Sequence, residues 1–361
     1  MRIILYSNTR VKKISLPLEA VHAEFKIITI DLTKSILRRH IKSFFELYNS
    51  NKSFNPSIFL TDNLDIYGFI CLVIAKYKKK PFIVRLRGDR IGEGYRKCKI
   101  YLSKRKFLAW LKEKILIAIS KYVIKHSDGI IANSYYVKDK LRKHVDFPPE
   151  LIKVVYIPCD IDKYKKIVFS KENNGITRLL TVTNLNFEGK YIALKKALSE
   201  IYNFLIEKDN TIFFIVGNGR FLSDLKEFVN KLPCRDKIKF LGFVKEIGPI
   251  YKSCDIFLYF SFQDAYPNTI LEAQACKKPV ITNYFGGMKE QVIEGKTGFF
   301  VDLEKKGELF GKLNILYDDS KLRVSIGEKA YKHVRKNNNF RKIGKDFINA
   351  IKEINKIRNS V

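Results

Sequence analysis

Ten short apolar runs, five in each half, alternate with helical stretches, and this alternation limits the fold more than any other feature. In the first half they are MRIILYS, FKIITIDL, SIFLTD, PFIVRLRG and GIIANS; in the second, TRLLTVTNL, TIFFIVGNG, IKFLGFV, IFLYFS and PVITNY. Their spacing suits strand–helix–strand units with right-handed crossovers, so each half reads as an α/β domain with a parallel sheet wrapped by helices. The 361 residues exceed the roughly 250–300 at which one core stops growing, which also asks for two domains. The link falls in VVYIPCDIDKYKKIVFSKENNG, where a proline, a charged run and an Asn-Gly turn signal follow one another. The sequence thus predicts one domain over 1–165, a second over 166–335 and a terminal helix over 336–361 that can pack back on the first. Ligands of parallel sheets bind outside the carboxyl ends of the strands, which puts the expected site in a cleft between the halves.

No apolar run approaches the ~18–20 residues of a membrane span, and MRIILYSNTR has too short an apolar region for a signal peptide. A cytoplasmic setting is expected. The six cysteines, Cys71, Cys98, Cys159, Cys234, Cys254 and Cys276, form no C-x-x-C pair and lie near no histidine at metal spacing, so they read as small reduced core residues. The formal charge of +31 attracts polyanions: nucleic acid, anionic lipid or phosphate-bearing ligands. Lysine filling every solvated face is the plainer reading of the same number.

The stretch SFQDAYPNTILEAQACKKPVITNYFGG carries the chemistry. Pro267 suits a helix start and Asn268 can cap it. The first N–H groups of that helix, with its dipole behind them, make an anion site. Glu272 stands at i, i+4 from Asn268 on the same face, suited to accept hydrogen bonds from hydroxyls beside the anion. The run IFLYFS delivers Asp264 to the same place, and the Gly-Gly pair after the next strand lets backbone approach a ligand. An anion flanked by a polyol describes a sugar nucleotide. Taken singly, Glu272 reads as a solvated helix acid and Asp264 as a turn former; together with the neighbouring stretch they do not.

This segment resembles the acid-x7-acid signature of family-four glycosyltransferases, which have the GT-B fold of two facing Rossmann-like domains with an interdomain cleft. Asp264 stands at the first acid, Ala265 at the usual glycine, Tyr266 at the aromatic and Glu272 at the second acid. ACKKPVITNYFGGMKEQVIEGKTGFFVD, SDGIIANSYYVKDKL, FFIVGNGRFLSDL and IKFLGFV follow the family's other landmarks in order. The resemblance covers roughly 80 to 340 and is strongest from 175 to 303. It implies transfer of a hexose from a nucleotide-diphosphate sugar with retained anomeric configuration, without a metal or resident cofactor, to a glycan or lipid-linked acceptor. Lys190, with Asp264 and Arg87, is implied in catalysis. Glu272, Asn268, Thr269, Tyr266, Ala265, Asn184, Gly217 and Phe243 are implied in donor binding, and Arg87 and Asp89 in acceptor binding.

The chain departs from the family at several of these positions. TVTNLNFEGKYIAL keeps Lys190 but has Asn184 where an arginine belongs, so one phosphate-facing cation is lost; Arg220, just after GNG, is placed in sequence to replace it. The first acid is shortened to Asp264. RLRGDR puts Arg87 where the family has a sugar-contacting histidine, and SNTRVKK lacks the glycines of the usual loop after the first strand. Asp160 and Asp162 mimic a metal-binding Asp-x-Asp but fall at the linker, and GNG alone is no dinucleotide fingerprint.

YRKCKIYLSKRKFLAWLKEKILIAISKYVIKH mixes cations with Tyr101, Phe107, Trp110, Leu111, Ile115 and Ile119. It can form an amphipathic helix that lies on an anionic bilayer, on the inner face of the cell membrane. It can equally be a domain helix whose apolar stripe is core. No nucleic-acid module is present, which makes nucleic acid a weak candidate partner. Two alternatives to transfer stand: a sugar-nucleotide epimerase of the same fold, and a non-catalytic sugar-nucleotide or polyanion-binding protein.

Overall fold

A computed structural model describes residues 1–7, 11–29, 36–167 and 175–360, without the side chains of 36–37 and 51–53. The chain divides into two compact units, Met1–Pro158 with Phe340–Val361, and Cys159–Asn339.

The first unit holds one parallel sheet. Its strands are β1 (Arg2–Ser7), β2 (Glu24–Thr29), β3 (Ile58–Thr61), β4 (Phe82–Leu86), β5 (Gly129–Ala132) and β6 (Ile152–Val154), in the order β2-β1-β3-β4-β5-β6. Every residue of β3, β4 and β5 is buried, as expected of parallel strands covered on both faces. One face packs Ile3, Leu5, Ile58, Leu60, Ile83 and Ile131 against Ile343, Phe347, Ile351 and Ile354. Those four come from the terminal helix Phe340–Asn359, whose apolar residues recur at helical spacing. The helix lies so close that a Cβ on Gly129 would sit 2.4 Å from Ile354.

The second unit holds β7 (Thr177–Val182), β8 (Thr211–Val216), β9 (Ile238–Gly242), β10 (Ile256–Tyr259), β11 (Val280–Asn283) and β12 (Gly298–Val301), all parallel, in the order β12-β11-β10-β7-β8-β9. Leu179, Phe213, Ile256, Leu258 and Ile281 of the sheet pack with Ile201 and Phe204 of the helix Glu188–Glu207 and Leu313 of the helix Glu308–Asp318.

All ten expected strands are present, and two more, β6 and β12, complete the sheets. Both are short strands at the edges of their sheets. The expected strand FKIITIDL runs past Thr29 into residues 30–32, and the loop after β1 includes 8–10; both lie outside the described residues, as does 168–174 of the linker. The units divide at 158/159 and 339/340 rather than at 165/166 and 335/336. The short helix Ile161–Lys165 belongs with the second unit because Tyr164 packs edge-on to Tyr251 and the Cys159 N–H donates to the Asn338 carbonyl. Asp160 accepts from the Lys163 N–H as that helix's cap. The basic stretch expected as one helix is two, Arg90–Ser103 and Phe107–Lys125, broken where Arg105 takes a left-handed conformation (φ 53°).

Candidate active site

In the second unit the chain runs from β7 outward through β8 to β9, then returns to the other side of β7 for β10, β11 and β12. The strand order therefore reverses between β7 and β10, and a parallel sheet offers its ligand crevice outside the carboxyl ends of such a pair. The loop after β7 leads into the helix bearing Lys190, and the loop after β10 bears Asp264.

These two loops are fastened together. The Phe262 N–H donates to the Gly189 carbonyl at 3.1 Å, and the Gly189 N–H to Gln263 Oε1 at 3.2 Å. Asn283, at the end of β11, holds the β10 loop from the other side through both the N–H and the carbonyl of Ser261. Ser261 Oγ in turn accepts from the Asp264 N–H at 3.1 Å. The result is an ion pair, Lys190 Nζ to Asp264 Oδ2, at 2.9 Å. Tyr259, fully buried at the end of β10, donates its hydroxyl to the same carboxylate oxygen. Burial, and then the Asp264 charge, push that phenol well above its ordinary range, so it stays a proton donor.

The helix Asn268–Ala275 starts at the end of this loop. Asn268 was expected to cap it; instead Pro267 is the cap residue and Asn268 the first helical residue, with no side-chain cap bond. Pro267 has extended backbone (ψ 129°), so the turn into the helix comes one residue earlier than the Asn signal suggests. Asn268 Oδ1, shielded from solvent, has no hydrogen-bond partner among the described residues, and the Thr269 hydroxyl faces the Tyr259 phenol. Polar side-chain atoms and unpaired helical N–H groups thus meet beside Asp264. The Ala265 carbonyl lies against Gly287, where a Cβ would come within 1.7 Å, so the Gly-Gly pair serves to seat this loop.

One turn into the helix, Glu272 Oε2 accepts from the Tyr251 hydroxyl at 2.9 Å. Tyr164 stands on the same carboxylate; burial first, then the Glu272 charge, raise both phenols far above their usual value. Each acid of the pair is therefore oriented by a buried tyrosine. The sequence reading missed Tyr251, Tyr259 and Tyr164: Tyr259 lies in the apolar run IFLYFS, while Tyr251 and Tyr164 stand beside lysines with no signal of their own.

The remaining expected residues divide. Asn184 is exposed and its Oδ1 accepts from the Asn186 N–H at 3.0 Å, as a turn former. Arg220 is brought to the same loop: its N–H donates to Asn186 Oδ1 at 3.0 Å and its guanidinium lies over Phe221. Gly217 (φ 136°) permits this, because a Cβ there would meet the Thr183 carbonyl at 1.8 Å. Phe243 follows β9 and is 78% exposed. Tyr266 is buried, its hydroxyl accepting from Asn338 Nδ2. In the first unit, Arg87 lies after β4 and pairs with the buried Asp62 at 3.2 Å. Asp89 caps the helix Arg90–Ser103 through the Gly92 N–H and faces His144 and Arg96.

Two family descriptions divide the chain between them: Glycosyltransferase Family 4 matches residues 17–163, and Glycosyl transferases group 1 matches residues 162–333. The chain is a family-four glycosyltransferase. In sequence this glycosyltransferase is 27% identical, over 48% of its length, to the N,N'-diacetylbacillosaminyl-diphospho-undecaprenol alpha-1,3-N-acetylgalactosaminyltransferase of Campylobacter jejuni, and spans 45% of that protein. It is 23% identical over 79% of its length, and 72% of the other, to that organism's GalNAc-alpha-(1->4)-GalNAc-alpha-(1->3)-diNAcBac-PP-undecaprenol alpha-1,4-N-acetyl-D-galactosaminyltransferase. In structure it is similar to Anabaena HepE, crystallised with UDP-glucose: TM-score 0.72, 16% identity, 98% of this chain and 99% of that one. At that identity the likeness is one of fold, and the fold is GT-B.

Proposed function

We propose that this glycosyltransferase moves a hexose from a nucleotide-diphosphate sugar to a glycan acceptor on a lipid diphosphate, with retention at the anomeric carbon. The observation that carries this reading is the Lys190–Asp264 pair at the β7–β10 switch, beside the start of the helix that bears Glu272. The glycosidic bond to phosphate breaks as negative charge grows on the diphosphate. Lys190 and the N–H groups of Asn268 and Thr269 are preset for that charge, and one such contact is worth about 3–4 kcal/mol. Asp264 accepts from hexose hydroxyls and Glu272 from the ribose, each with one oxygen already fixed by a tyrosine. Arg220 supplies the second cation in place of the family's arginine. Cations of the chain thus serve the leaving group, so the reading assigns no metal and no resident cofactor. Arg87 and Asp89 serve the acceptor.

The acceptor class is supported by the names of the Campylobacter relatives, and a uridine donor by the ligand of HepE. Among the described residues no helix is long and apolar enough to cross a membrane. The reading places the enzyme in the cytoplasm, where nucleotide sugars are made. Incubation with UDP-hexoses and undecaprenyl-diphosphate glycans tests it. Nucleotide release that requires acceptor, with an α-linked product from an α-linked donor, is expected. Isomerised donor without acceptor would support epimerisation instead, and binding without turnover a non-catalytic role.

A further inference from the structure

The helix Phe107–Lys125 has two apolar faces, and the fold uses one. Ile117, Val123 and Ile124 are buried in the first unit, with Ser120 bonded to the Leu64 carbonyl. The opposite arc carries Phe107, Leu108, Leu111, Ile115 and Tyr122, and all five are exposed; Leu108 is 82% and Phe107 62% accessible. At about 100° per residue these five fall within an arc of roughly 100°, a stripe as wide as the one a core needs. Lys112 flanks it on one side and Lys114 and Lys121 on the other. Leu102, 61% exposed at the end of the preceding helix, continues it across the Lys104–Arg105–Lys106 turn.

Charge decides what covers this face. Between Arg96 and Ile115 there are eight lysines and arginines and one acid, Glu113. That acid is buried and paired with Arg90 at 2.6 Å, so it offsets nothing at the surface. A protein partner would have to be apolar and strongly acidic over the same few square nanometres, whereas an anionic bilayer presents both properties everywhere. We propose that the tip formed by Leu102–Ile115 docks on an anionic phospholipid bilayer. Phe107, Leu108 and Leu111 enter the acyl boundary and Lys104, Arg105 and Lys106 lie among the phosphates. This goes beyond the donor reading and does not depend on it, because docking needs no substrate.

Trp110, the chain's single tryptophan, lies inside this tip, stacked on Phe107 with ring centroids 5.2 Å apart. Its fluorescence reports contact at this place. The full chain is mixed with vesicles of phosphatidylglycerol and phosphatidylcholine (about 3:7) or of phosphatidylcholine alone, each with or without brominated acyl chains. Flotation with the anionic vesicles, a blue shift of Trp110 and its quenching by bromine are expected, with none of these on the neutral vesicles. Leu108→Glu with Leu111→Glu, and separately Lys104→Glu with Arg105→Glu and Lys106→Glu, should each weaken binding at least about tenfold. All five positions are exposed, and unchanged circular dichroism confirms folding. Lys321→Glu, Lys329→Glu and Lys332→Glu on the helix Ser320–Asn337 remove equal charge elsewhere and should leave the quenching intact. The proposal fails if the chain floats while Trp110 stays unquenched, or if the control triple loses as much as the tip variants. It also fails if the tip substitutions abolish RNA binding or self-association and spare vesicle binding.

Discussion

Tyr259 gives its hydroxyl to Asp264, five residues along the chain, at the oxygen that Lys190 also touches. The phenol is fully buried, so its position is set by the sheet. The family's longer glutamate is shortened here, and a rigid donor beneath the aspartate fixes where its carboxylate points.

Tyr259→Phe tests this directly. The substitution keeps the ring and removes one hydrogen bond to a charged group, worth about 1.5–3 kcal/mol at most. Turnover should fall roughly tenfold or more with donor KM changed less, because Asp264 is then held by Lys190 alone. Equal turnover in the two proteins would deny Tyr259 an orienting role.

Lys190→Ala should cost more, about 100–1000-fold in kcat, because it removes the cation proposed to meet the leaving diphosphate. It also leaves Asp264 without its ion pair. Steady-state kinetics beside Lys196→Ala, an exposed lysine two turns along the same helix, separates the site effect from loss of charge alone.

Gly287→Ala isolates the seat of the loop. Its φ of −76° suits any residue, so the whole cost is steric: the new Cβ has no room beside the Ala265 carbonyl. Donor affinity should drop about tenfold or more while the chain stays folded, which calorimetric titration and circular dichroism can read together.

Phe347→Ala addresses the terminal helix. Phe347 is buried against the first unit's sheet, and truncation of such a side chain costs about 3–5 kcal/mol. Denaturant titration should show destabilisation of the first unit. A change below about 1 kcal/mol would mean that the helix is not part of that core.

Alkaline pH should weaken the fold in a defined window. Burial holds the Cys276 thiol up to about 12. An unfolded chain releases that proton near 8.5. The native chain keeps the proton longer, so its stability is full below about pH 8.5 and declines as pH rises toward the native value. Tyr251 and Tyr259, raised by burial and by Glu272 and Asp264, add to the decline above about pH 10. Urea midpoints should fall steadily from pH 8 to 11, and a flat profile would contradict this. All six cysteines are buried, so a thiol reagent at pH 8 should react fully only after unfolding.

The strands and the division into two units were legible because parallel strands buried on both faces read as continuous apolar runs. Asp264 and Glu272 stand out in the sequence as a spaced pair, and Lys190, which the resemblance adds, lies against Asp264 in the structure. The tyrosine partners of the two acids were not legible, since sequence puts Tyr259 in an apolar run and Tyr251 beside Lys252 but does not say where a hydroxyl points. The break at Lys104–Lys106 carries no glycine or proline, and Arg105 is a residue that seldom takes positive φ. The outward face of the following helix was equally hidden, because one-dimensional spacing cannot say which of two apolar stripes the core takes.

Calorimetric titration of UDP, GDP, ADP and CMP into the wild type, Lys190→Ala and Glu272→Ala is the most direct measurement of the site. One nucleotide should bind the wild type and lose at least about tenfold in each variant, Glu272→Ala through the ribose and Lys190→Ala through the diphosphate. Equal binding by all three proteins would contradict a donor site built on Lys190, Asp264 and Glu272.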